Sequence, residues 1–90
     1  MRKGMNPRSG WEIILDILKV TSEEGSRAKK TRIMQKAYLD WRNFQRRFGY
    51  LLERGFIEKV DDPVEGTSYK LTESGEDLVK RLKGVEAMLR

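Results

Sequence analysis

The sequence predicts a mainly helical α+β domain with elements in the order α-α-α-β-β-α. Three observations carry this. Apolar residues recur at the helical period through the first half of the chain. The period then shortens to that of strands around an Asp-Asp-Pro turn, over residues 56–71. Finally, a Thr-capped helical pattern runs from Glu73 to about Arg90.

The first helix starts after Ser9, a natural N-cap. Trp11, Ile14, Leu15 and Leu18 follow the 3.6-residue period, with Ile17 alongside, and Gly25-Ser26 ends it. A short second helix covers Thr31 to Ala37, with Thr31 as its expected N-cap. Tyr38-Leu39-Asp40 separates it from a third helix, Trp41 to Arg54. On a helical wheel Trp41, Phe44, Phe48, Leu51 and Leu52 fall in one arc of roughly 100°. Arg42, Asn43, Arg46, Gly49, Tyr50 and Glu53 lie opposite, with Gln45 and Arg47 on the flanks, and Gly55 stops the helix.

Phe56 to Val60 and Thr67 to Leu71 read as the two strands of a hairpin, with Asp61 to Gly66 as the turn. In the last helix Leu78, Leu82, Val85 and Leu89 are spaced as an a/d seam over about two heptads. They serve either as packing for the same domain or as a coiled-coil-like contact with a second copy. The expected organisation is a flexible basic tail over 1–8, a domain over 9–72 and a C-terminal dimerisation helix over 73–90.

Composition narrows the chemistry. The 90 residues contain no Cys and no His, which excludes disulfides, thiol nucleophiles, zinc fingers and the commonest general base. The remaining carboxylates, lysines, tyrosines and serines form no recognisable catalytic constellation. Neither an enzyme nor a cofactor or metal site is expected. Residues 1–7 carry charge but no apolar h-region, and no run approaches the roughly 18 apolar residues of a membrane span, so the chain reads as cytoplasmic.

The net charge of +5 is concentrated. Between positions 27 and 54 nine basic residues (Arg27, Lys29, Lys30, Arg32, Lys36, Arg42, Arg46, Arg47, Arg54) face only Asp40 and Glu53, a local net of +7. Clustering of this kind is the footprint of a nucleic-acid partner, or else a solvated helical face. Three helices, a hairpin and a final helix form the element order of a winged helix-turn-helix domain, whose third helix enters the major groove of double-stranded DNA. Arg42, Asn43 and Arg46 are suited to base edges. Arg27, Lys29, Lys30 and the Thr31 hydroxyl lie where phosphate contacts belong. Asp61, Asp62 and Glu65 make the hairpin tip acidic, so the wing is not expected to grip DNA through its tip.

The stretch Lys30-Thr31-Arg32-Ile33-Met34-Gln35-Lys36-Ala37-Tyr38-Leu39-Asp40-Trp41-Arg42-Asn43-Phe44 resembles a signature of archaeal winged-helix proteins of the ten-kilodalton chromatin-protein class. Leu51-Leu52-Glu53-Arg54-Gly55-Phe56-Ile57 is similar to their junction from recognition helix to strand. Tyr69-Lys70-Leu71-Thr72-Glu73-Ser74-Gly75 is similar to their join of wing to last helix, a motif shared with many winged-helix regulators. The resemblance implies a nucleoid-associated chromatin protein or transcription regulator that dimerises through its C-terminal helices. Carried over by position, Arg42, Asn43, Gln45 and Arg46 fall on the DNA-facing part of the recognition helix, and Lys29, Lys30 and Arg32 match the basic entry to the motif; Thr31 and Tyr50 complete the expected DNA-binding set. The alternative is a winged-helix protein-interaction module within a larger complex. A protein-docking face is usually depleted in charge at its centre, which distinguishes the two.

Overall fold

A computed structural model describes residues 8–89. Its elements are α1 (Gly10–Glu23), a single 3-10 turn (Gly25–Arg27), α2 (Lys30–Lys36), α3 (Trp41–Glu53), β1 (Ile57–Asp62), β2 (Gly66–Leu71) and α4 (Glu73–Met88). The order agrees with the sequence reading. The strands pair antiparallel from Ile57 with Leu71 to Asp62 with Gly66. Ala28 adds an isolated antiparallel bridge to Tyr69, whose N–H donates to the Ala28 carbonyl at 2.8 Å. The hairpin is thereby joined to the segment entering α2.

The expected tail over residues 1–7 lies outside the described residues. Arg8, assigned by sequence to that tail, is instead held by the domain. Its guanidinium donates to Asp16 at 2.7 Å and to the carbonyls of Ala37 and Tyr38, each at 2.9 Å. The Ala37 carbonyl caps the C-terminus of α2, where a cation is favoured by the helix dipole, and that of Tyr38 follows it.

Two helix ends close with the same backbone device. After α2, Tyr38 N–H reaches the Gln35 carbonyl and Leu39 N–H the Met34 carbonyl. After α3, Gly55 and Phe56 bond the carbonyls of Leu52 and Leu51 in the same pattern. The residue past each cap must take a positive φ, +79° at Gly55 and +56° at Tyr38. Glycine does so without strain, while tyrosine accepts a steric cost at the helix-turn-helix corner.

The core is built from Leu15, Ile17, Leu18, Ile33, Phe44, Phe48, Leu51 and Ile57, all essentially inaccessible to solvent. Phe44 stacks on Phe48 at 4.9 Å, and Phe48 meets the edge of Tyr69, also at 4.9 Å. These rings seat α3 against the base of the hairpin. At the start of α4, the Thr72 hydroxyl accepts the Gly75 N–H and donates to the Gly55 carbonyl at 2.6 Å. A Cβ at Gly75 would stand 2.0 Å from the Phe56 carbonyl oxygen, so only glycine permits this approach.

Four further sequence expectations need correction. Thr31 lies inside α2. Lys29, with extended backbone, is the N-cap, and its carbonyl accepts the Ile33 N–H, so the cap lies two residues earlier than expected and without a side-chain cap bond. The buried face of α1 includes Ile13 and Val20, while Trp11 and Ile14 are only half-buried. Trp41, placed by period in the apolar arc of α3, is 52% exposed. The buried arc is centred on Phe44, Phe48 and Leu51, which turns α3 so that Arg47 is half-buried and Trp41 faces outward. Lastly, β1 runs through Asp61 and Asp62, which the sequence reading gives to the turn.

Candidate nucleic-acid interface

Helix α3 is positioned by its aromatic core face and by Asp40, whose carboxylate accepts the Asn43 N–H at 2.8 Å. A carboxylate there satisfies one free N–H of the first turn and opposes the positive end of the helix dipole. The opposite side of α3 presents Arg42, Gln45, Arg46, Gly49 and Tyr50 to solvent. Arg42 and Gln45 have no hydrogen-bond or ionic partner among the described residues. Arg46 donates to the Asn43 side-chain oxygen at 3.2 Å, an uncharged partner that leaves its charge uncompensated. The Arg54 guanidinium lies over the Tyr50 ring at 5.4 Å.

The basic residues before and within α2 are engaged differently. Lys29 donates its ammonium to the carbonyls of Glu65 and Thr67, each at 2.8 Å, tying the hairpin to the entry of α2. Arg27 stands 3.8 Å from the Glu65 carboxylate. Lys30 places Nζ 5.8 Å from the centre of the Trp41 ring and 5.7 Å from that of Phe48, a cation–π arrangement that covers part of exposed Trp41. Arg32 and Lys36 converge on Glu24, at 3.7 and 3.1 Å. The Glu24 carboxyl is held below the usual carboxylate range, chiefly by the hydrogen bond from Lys36; desolvation opposes this, and the charges of Lys36 and Arg32 add to the lowering. Thr31 is exposed, with no partner among the described residues.

The hairpin tip is ordered internally. Asp62 accepts the N–H groups of Val64 and Glu65, both at 2.8 Å, which lower its pKa. Its carboxylate is therefore committed to the turn.

The seam of α4 divides in two. Leu78 and Leu82 are half-buried and pack on the domain's own core. Val85 and Leu89 are 40% and 69% exposed, with Met88 at 84% beside them.

Sequence reasoning overlooked three features of this surface: the Lys29 bond to the hairpin, the outward turn of Trp41 and the half-burial of Arg47. The first joins residues 36 and 38 positions apart and has no local signal. The other two follow from a rotation of α3 that the helical wheel leaves undetermined.

A family model described as winged helix-turn-helix matches residues 7–90. An uncharacterized protein of the archaeon Methanocaldococcus jannaschii, MJ0287, is 43% identical over 75 residues, spanning 83% of this chain and 70% of that protein. Among solved structures, Sso10a-2, a DNA-binding protein from Sulfolobus solfataricus, superposes with a TM-score of 0.77 at 21% identity, over 90% of this chain and 81% of that one. The PcaV transcriptional regulator from Streptomyces coelicolor gives 0.72 at 24% identity, over 84% of this chain and 57% of that one. The archaeal resemblance read from the sequence agrees with these findings, and the chain belongs to the winged helix-turn-helix family.

Proposed function

We propose that the protein binds double-stranded DNA by placing α3 in the major groove, as a nucleoid-associated chromatin protein or transcription regulator. The observation that carries this reading is the uncompensated pair Arg42 and Arg46 on the exposed side of a helix whose other side is locked into the core. Arginine can bond guanine O6 and N7 bidentately, and Asn43 and Gln45 offer amide groups for base edges. Thr31, Lys30 and Arg32 flank this face as phosphate contacts, and Tyr50 closes its far end. The fold shared with DNA-binding Sso10a-2 supports the reading.

The exposed apolar end of α4 is the surface for a second copy. Val85, Met88 and Leu89 are the contact residues, continued by the outer edges of Leu78 and Leu82. A homodimer would present two copies of α3 to successive major grooves. Sedimentation should show a dimer that dissociates in Leu89→Lys, and a wild-type monomer at all concentrations would refute this assignment.

The test of DNA binding is salt dependence. Log affinity for duplex DNA should fall linearly and steeply with log salt as phosphate counterions are released. Salt-insensitive binding, or none at about 50 mM salt, would contradict the proposal.

A further inference from the structure

Between the first turn of α1 and the C-terminal half of α3 lies an open groove of about 400 Å³, lined by Gly10, Trp11, Ile14, Arg46, Arg47 and Tyr50. Its size is that of a small-molecule site. Two features of its lining belong together.

The first is cationic. Arg47 is half-buried, and its Nε is shielded from solvent with no hydrogen-bond partner. Its guanidinium lies against Gly10, where a Cβ would stand 3.0 Å from Nη1. No carboxylate pairs with Arg47 or Arg46 among the described residues. A guanidinium partly removed from water and given no acceptor is an electrostatic cost that a bound anion would offset.

The second is apolar. Trp11 and Ile14 are the residues of α1 that the core leaves half-covered, and Tyr50 is 43% exposed. An inorganic anion would lose hydration against these walls and gain nothing from them. A neutral apolar molecule would leave Arg47 unsatisfied.

We infer that this groove binds a small aromatic carboxylate, with its carboxyl group accepting from Arg47 and its ring lying among Trp11, Ile14 and Tyr50. The carboxylate accepts from the Nη groups of Arg47, which no carboxylate pairs with among the described residues, in a charge-assisted bond, and the ring covers apolar surface that is otherwise wet. Arg46 forms part of the groove and also belongs to the exposed side of α3. If α3 is the DNA-binding helix, as proposed above, a filled groove draws Arg46 away from DNA and weakens binding.

The chain has two tryptophans, so Trp41→Phe leaves Trp11 as the sole tryptophan reporter in the full-length protein. Titration of that protein with naphthoate, without DNA, should quench Trp11 saturably with Kd below about 1 mM. Arg47→Met and Tyr50→Ala should each weaken binding about tenfold, with folding checked by circular dichroism. Naphthamide and inorganic phosphate should bind far more weakly. No saturable response to naphthoate, an equal response to naphthamide or phosphate, or full retention of binding in Arg47→Met would overturn the site. Naphthoate should also lower DNA affinity in the wild type and leave Arg47→Met unaffected. Unchanged DNA affinity at saturating naphthoate would overturn the coupling alone, and a protein that binds no DNA would still report on the groove.

Discussion

The basic residues of α3 and those around α2 look equivalent in sequence, yet the fold treats them differently. Around α2, Arg27 and Lys29 hold the hairpin, Lys30 covers aromatic rings, and Arg32 and Lys36 share Glu24. On α3, Arg42 has no partner among the described residues, and Arg46 has only an amide. The local +7 therefore separates into a structural part and an available part. A charge count measures their sum, but an incoming phosphate or base edge meets mainly the available part. Surface ion pairs are weak and exchange readily, so the α2 cations are partly held rather than lost.

The comparison can be broken most sharply at α3. The double variant Arg42→Ala/Arg46→Ala should weaken duplex binding about a hundredfold or more, at 1–3 kcal/mol per base contact, with the melting temperature unchanged. A drop in melting temperature would mean that these side chains pack, and that the face assignment is wrong. Lys29→Met should do the reverse. Loss of its two bonds to the hairpin should cost about 1 kcal/mol of stability in chemical denaturation, with little change in DNA affinity. Equal losses in both assays would show that Lys29 reaches DNA as well.

Gly49 sharpens the boundary of the available face. A Cβ there meets nothing within 4 Å. Gly49→Ala should therefore raise stability by about 1 kcal/mol through helix propensity. If α3 lies deep in a groove, the same methyl group should lower DNA affinity, and unaffected binding would place Gly49 outside the contact.

Glu24→Gln removes the counter-charge of Arg32 and Lys36, and should raise DNA affinity by about two- to threefold at low salt. No gain would mean that these cations are already available. The accompanying pH effect has a definite sign. Because the Glu24 carboxyl is depressed in the folded protein, its contribution to stability is full above the ordinary carboxylate range. It fades as pH falls through the lowered value. A carboxyl titration by NMR should find Glu24 below the usual midpoint and rising in Lys36→Ala, whereas a normal midpoint in the wild type would exclude the ion pair.

Most of the fold was legible because local signals agreed with one another. Gly55 supplied the positive φ after α3, Thr72 capped α4, and the change from helical to strand period located the hairpin. The site was legible only at the level of α3's outward side. A helical wheel gives relative angles, so the rotation that buries Arg47 and exposes Trp41 had to come from packing of Phe44 and Phe48 against neighbouring elements. The engagement of Lys29 with Glu65 and Thr67 depends on where the hairpin folds back, which no short-range pattern encodes. The α4 seam shows the same limit. Its spacing is uniform, but the domain covers Leu78 and Leu82 more than Val85 and Leu89, a difference that the spacing does not encode.

The most direct test compares salt slopes of duplex binding for two double variants, Arg42→Ala/Arg46→Ala and Arg32→Ala/Lys36→Ala. Each lost phosphate contact should reduce the slope by about 1, while a lost base contact lowers affinity at every salt concentration. The α3 variant should show the larger loss of affinity across the whole range, and the α2 variant a small one confined to low salt. An α2 variant that loses as much as the α3 variant, or more, would contradict the division between held and available charge.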